Sequence, residues 1–110
     1  MNFLPMLILL MAWHALADYP LQGDFLAKGK NPTHPIPGVP ADICMRAHCW
    51  IHAGGVLVIT GSWACAFAEF VLHWCIDDAK CRGRITFRAD QRMHASCKIV
   101  YAAICGGWTL

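Results

Sequence analysis

The stretch CWIHAGGVLVITGSWACAFAEFVLHWCI, residues 49–76, decides the fold, because in its 28 positions the one formally charged side chain is Glu69. Drawn as a single helix it would be about 42 Å long, well beyond the roughly 30 Å of a bilayer core. Thr60-Gly61-Ser62 offers the place to break it, with glycine ending one helix and serine capping the next. Two shorter antiparallel helices result. One long tilted helix is the alternative, since glycine is tolerated in membrane helices.

Working outward, Met1–Ala17 is a second apolar run, interrupted only by Pro5 and His14. Residues 18–40 are polar and hold five prolines, four of them in NPTHPIPGVP (31–40). That density reads as an extended, semi-rigid connector rather than helix. A basic loop from Asp77 to Arg92 follows the central run, and apolar character returns from Met93 to Leu110. The expected helices are therefore about 1–17, 41–60, 62–77 and 91–110, in a single domain of 110 residues.

Composition gives these helices an environment. Hydrophobic residues make up 57% and charged residues 15%, against about 25% charged in an average soluble domain. A small soluble fold buries too little of its surface to hide that excess. The expected fold class is thus all-α: an integral-membrane bundle of about four short helices with a proline-rich loop after the first. All nine Lys and Arg residues would fall on one side, which the positive-inside rule makes cytoplasmic, with both termini outside the inner membrane. The lipid bilayer is then the principal partner, and such short spans favour tilt, thinning or a homo-oligomer. A net charge of +2 without a basic, aromatic-studded stripe argues against nucleic acid.

Seven cysteines cannot all pair within one chain. Those inside apolar runs read as small core fillers, and the spacing of the others matches no zinc motif. Residues 1–17 also resemble an export signal, with Ala15-Leu16-Ala17 as a cleavage site, but no Lys or Arg leads them.

The polar residues inside this apolar chain are patterned. Three of six histidines have an aspartate four residues away: His14 with Asp18, His73 with Asp77, and His94 with Asp90. Residues four apart share a helix face. Glu69, His73, Asp77 and then Lys80 form one stripe, and His48 and His52 repeat the spacing. Antiparallel packing would gather all these sets at the cytoplasmic end of the bundle. Neutral imidazoles with carboxylates suit zinc, manganese or iron, and helix-borne ligands of this kind build metal sites in bundle cores. The expected metal ligands are His14, Asp18, His48, His73, Asp77, Asp90 and His94. Glu69 and Lys80 are the candidate catalytic groups, Lys80 for an anion such as a lipid phosphate. A purely structural account competes: Asp90 caps a helix start, His14 and His73 favour helix ends, and the cluster only locks helices together. A proton path through Glu69 and His73 is a third reading. His34 reads as an ordinary loop residue.

The segments HALADYPLQGDFLAKGKN (14–31), HCWIH (48–52), AEFVLHWCIDDAKCRGR (68–84) and ADQRMHASCK (89–98) resemble the domain of unknown function 3307 family. The resemblance rests on H-x-x-x-D-[FY]-x-L-Q at His14 and H-x-x-x-D-x-x-K at His73. It implies a small polytopic membrane protein of bacteria or their phages. The matched positions are His14, Asp18, Gln22, His48, His73, Asp77, Lys80, Asp90, Gln91 and His94. It implies no reaction, and it argues against cleavage because the first motif straddles the Ala17–Asp18 bond. The intact mass of the purified chain is therefore expected to include residues 1–17; a mass beginning at Asp18 would mark an exported form.

Overall fold

A computed structural model describes residues 1–108. Among them there are five helices and no strand: α1 (Phe3–Asp18), α2 (Gly23–Gly29), α3 (Ala41–Thr60), α4 (Trp63–Cys81) and α5 (Phe87–Cys105). The chain is all-α, with one helix more than the sequence pattern suggests. The extra element, α2, lies in the polar stretch expected to be extended. Its seven residues, GDFLAKG, fall between Pro20 and Pro32 and contain no proline, so the proline argument applies only to residues 32–40. The basic loop also shortens. Asp78 and Arg82, four apart on α4, pair at 2.8 Å and carry that helix to Cys81. Thr86, whose hydroxyl accepts the Ala89 N–H at 3.0 Å, starts α5 four residues before the expected position. The expected last helix ends at Cys105 rather than Leu110, and residues 109–110 lie outside the described part.

The central run is broken at Gly61, whose φ of +70° is a conformation that favours glycine. Its N–H closes α3 on the Leu57 carbonyl at 2.8 Å, and the Ser62 hydroxyl accepts the Cys65 N–H at 3.1 Å to open α4. The resulting α3–α4 hairpin is the most extensive helix pair, with α1 laid against α3 and α5, and α4 against α5. The two ends of the chain meet: Phe3 N–H donates to Gly107 O at 2.7 Å and Gly107 N–H to Met1 O at 3.0 Å.

The bundle interior has two storeys. Near the termini and the Gly61 turn it is apolar, built from Met6, Leu10, Val56, Cys65, Tyr101 and Ala102. Towards the other end it is polar, with five histidines and several charged groups all buried. The outside is the reverse. Val58, Trp63, Phe67 and Ile104 are each at least 70% exposed, in company with Leu4, Ile8 and Trp50. By length and composition α3 can cross a membrane, and α1 and α2, bent by 82°, qualify together as a broken span or a re-entrant loop; α4 and α5, expected as spans, do not meet that standard among the described residues.

Close approach of α1 to α3 depends on Gly55, because a Cβ there would run into the Trp13 indole, which donates to Ile51 O at 3.2 Å. Gly54, one residue earlier, has open space around it. Thermal unfolding in detergent should therefore separate the neighbours: Gly55→Ala loses about 1–3 kcal/mol through overpacking, whereas Gly54→Ala gains roughly 0.5–1 kcal/mol of helix propensity.

Candidate metal centre

Four helices deliver the polar storey. The C-terminal end of α1 supplies His14 and Asp18, α3 His48 and His52, α4 Glu69, His73 and Asp77, and α5 Asp90, His94 and Lys98. Alternation of chain direction places all these segments at one level. The five imidazoles are at most 4% exposed. His52, His73 and His94 form a stacked column, with ring centroids 3.7 Å and 4.2 Å apart in sequence.

The hub is Asp18. Its Oδ1 lies 2.8 Å from His52 Nε2, 3.2 Å from His48 Nε2 and 3.7 Å from His73 Nε2. Its Oδ2 lies 3.2 Å from His14 Nε2 and accepts the Gln91 side-chain N–H at 3.1 Å. The Nε2 atoms of His48 and His73 are themselves 3.1 Å apart. Two imidazole nitrogens at that distance need one proton between them, or a cation facing both lone pairs. Asp18, His48, His52 and His73 each offer a ligand atom within 4.8 Å of the others, and so do His14, His73 and His94. Both groups could hold a metal ion.

Beneath the rings Glu69 is fully buried. It accepts from Lys98 Nζ at 2.6 Å and from the Tyr101 hydroxyl at 3.1 Å. Its Oε2 also faces His73 Nδ1 at 3.4 Å and His52 Nδ1 at 3.7 Å. Neither Nδ1 makes a hydrogen bond to it, so the carboxylate acts on the two rings through its charge, from behind. Glu69 thus sits in the floor of the cluster rather than at an opening.

The rim is built on Asp77, whose Oδ2 is 2.5 Å from Lys30 Nζ, 3.5 Å from His48 Nε2 and 3.8 Å from His73 Nε2. Lys30 also donates to Gln22 Oε1. Lys80 reaches Asp77 Oδ1 at 3.0 Å and keeps 27% of its side chain exposed. Lys80 lies beyond the apolar part of α4; burial opposes its charge, but the Asp77 carboxylate outweighs that and holds the ammonium above the usual lysine range. Asp90 Oδ1 is 3.3 Å from His94 Nε2, and Gln91 donates to Asp90 Oδ2 at 2.9 Å. Thr86, not Asp90, caps α5.

All seven residues expected from the sequence to bind metal, His14, Asp18, His48, His73, Asp77, Asp90 and His94, come together in this one cluster. His34 stays apart on the loop, bonded to Thr33. His52 is the addition, and it is the imidazole nearest Asp18; its spacing from His48 was the available signal, but no acid four residues away singled it out. Lys98 is inside the bundle, four residues after His94, on the stripe for which the sequence offers Asp90, His94 and Cys97 or Lys98. Lys30 had no periodic signal, because α2 is too short to show one.

With this geometry in place, the family model for the protein of unknown function DUF3307 matches residues 6–109, and the chain belongs to that family. No curated protein and no solved structure matches the chain.

The Glu69–Lys98 pair should respond as a unit. Glu69→Gln alone leaves a buried ammonium without its anion and is expected to cost about 3–5 kcal/mol. Glu69→Gln/Lys98→Met is expected to cost less than the sum of its parts, as a double-mutant cycle of detergent unfolding free energies would show.

Proposed function

We propose that this member of the DUF3307 family is a membrane-embedded metalloprotein whose histidine–carboxylate cluster holds a divalent transition metal, zinc, manganese or iron, and supports hydrolase-like chemistry. One observation carries the reading: three imidazole Nε2 atoms from two helices surround a single Asp18 oxygen, at 2.8, 3.2 and 3.7 Å. Hydrogen bonding alone does not require three rings on one oxygen. A metal site does require several nitrogen donors and a carboxylate converging on one point.

A bound ion with an open position supplies an activated water. The chain's own groups then take defined tasks. His48, His52, His73 and Asp18 provide donors, Glu69 orients His52 and His73 from behind, and Asp77 and Asp90 border the site on either side. Lys80, half-exposed at the rim, is placed to hold an anionic group.

The bilayer reading rests on the inverted bundle. Large apolar side chains cover the outside while charges fill the inside, and α3, with 20 residues, is about as long as a bilayer core is thick. We place the termini and the Gly61 turn outside the inner membrane and the polar storey towards the cytoplasm. The lipid-facing surface leaves room for a second copy, and nucleic acid has no part in this proposal.

The second reading, a phage or bacterial accessory protein whose cluster only locks helices, is favoured by the ion pairs of Glu69 with Lys98 and of Asp77 with Lys30. These pairs are complete without a metal. Elemental mass spectrometry of the detergent-purified parent beside His52→Ala/His73→Ala decides between the two. Stoichiometric transition metal in the parent, lost in the variant, with a higher Tm when metal is restored to stripped parent, is the expected result. No metal in the parent after reconstitution would leave helix locking as the function of the cluster.

A further inference from the structure

We propose that the cluster is a two-ion centre bridged by Asp18, and that its ligand is an oxyanion; this rests on the metal-binding reading above. The two oxygens of Asp18 face different partners. Oδ1 looks towards His48, His52 and His73, whereas Oδ2 looks towards His14. The two groups able to hold an ion overlap only at His73, whose ring lies between His52 and His94 in the stacked column. A carboxylate with one oxygen to each group is the usual bridge between paired divalent ions.

Each half also has its own flanking carboxylate. Asp77 Oδ2 stands 3.5 Å from His48 Nε2 on one side, and Asp90 Oδ1 stands 3.3 Å from His94 Nε2 on the other. The second half, His14, His94 and Asp90 with Asp18 Oδ2, draws on α1 and α5, while the first draws mainly on α3 and α4. Two ligand sets from two helix pairs, meeting at one carboxylate, repeat the same construction.

Charge distinguishes the two halves from ordinary helix locking. Glu69 has Lys98, and Asp77 has Lys30 and Lys80. Among the described residues no Lys or Arg lies within 4 Å of Asp18 or Asp90, whose close partners are imidazoles and the Gln91 amide. Asp18 belongs to the first group and Asp90 flanks the second, so each half has a carboxylate with no Lys or Arg within that distance for a cation to balance.

The loaded centre has a ligand preference. Two divalent ions and the ammoniums of Lys30, Lys80 and Lys98 stand against the carboxylates of Asp18, Glu69, Asp77 and Asp90. The balance is positive, so an anion completes the site. Lys80, paired with Asp77 at the rim and 27% exposed, is the cation beside it that solvent reaches. A phosphoryl group, free or on a lipid headgroup, has the charge and the several oxygens to contact both ions.

The full chain in detergent, stripped and reloaded with Mn²⁺, tests this directly. Two ions per chain and an exchange-coupled electron paramagnetic resonance signal are expected in the parent. His14→Gln/His94→Gln is expected to keep one ion with an uncoupled signal, its fold checked by far-ultraviolet circular dichroism. One ion per chain in the parent overturns the two-ion proposal and leaves the metalloprotein reading standing, whereas none overturns both. Inorganic phosphate is expected to raise the Tm of loaded parent but not of stripped parent; no difference overturns the oxyanion assignment. Once phosphate binds, comparing it with anionic-lipid and zwitterionic-lipid nanodiscs shows which source of the phosphoryl group the site accepts.

Discussion

The Asp18 carboxylate, in the last turn of α1, is where the helices of the bundle converge. Imidazoles from α1 and α3 lie within 3.2 Å of its two oxygens, that of His73 on α4 lies at 3.7 Å, and the Gln91 amide from α5 donates to it. A carboxylate carried into the bundle must have its charge answered there, because leaving it unpaired would cost several kcal/mol or more. That requirement sets the register of the helices around it. Sliding any one of them by a turn, about 5.4 Å, would take its donor out of reach of the hub.

Around that constraint the rest of the fold follows. Polar groups claim one storey of the interior, so the apolar residues have only the other storey and the outer surface to occupy. In water this distribution would be unfavourable, since the hydrophobic effect would act on the surface rather than the core. In a bilayer the outer apolar surface costs nothing, and helix association depends on close packing and interior polar contacts. Gly55 under the Trp13 indole and Gly106 against the Phe3 backbone are the packing side of that arrangement. The hydrogen bonds from Phe3 N–H to Gly107 O and from Gly107 N–H to Met1 O then close the apolar end.

Much of this was legible in the residue pattern, and the reasons differ by element. The i, i+4 pairs at His14, His73 and His94 were readable because helix geometry alone fixes which positions share a face. The turn at Gly61 was readable because glycine and serine are the residues helix ends use. What escaped was tertiary. His52 has no acid four residues away on its own helix, and its partner Asp18 is 34 residues away, so local spacing paired it only with His48. Lys30 finds Asp77 across 47 residues from a helix too short to carry a pattern. The proline-rich stretch misled because its prolines are unevenly spread, leaving Gly23–Gly29 free to coil.

On the proposed reading, the two roles open to the cluster, fastening helices and binding ions, fall to different parts of it. Glu69, Lys98 and Tyr101 form a closed network in which each charge is met, and it joins α4 to α5 whatever lies above it. Asp77 is likewise met by Lys30, which ties α2 to α4. These fastenings hold the rings in place from below and from one side. On the Asp18–Asp90 side no ammonium of the described residues lies within 4 Å of either carboxylate, and the imidazoles present nitrogen lone pairs or protons to them. A scaffold that is complete on two sides and unbalanced on the third is how a fixed site for a cation is built: the rigid part keeps the donors apart from one another, and the unbalanced part supplies the attraction. Removing the fastenings would therefore loosen the fold from below and from one side, whereas removing Asp18 would release the register of the helices and, on the proposed reading, the ion with it.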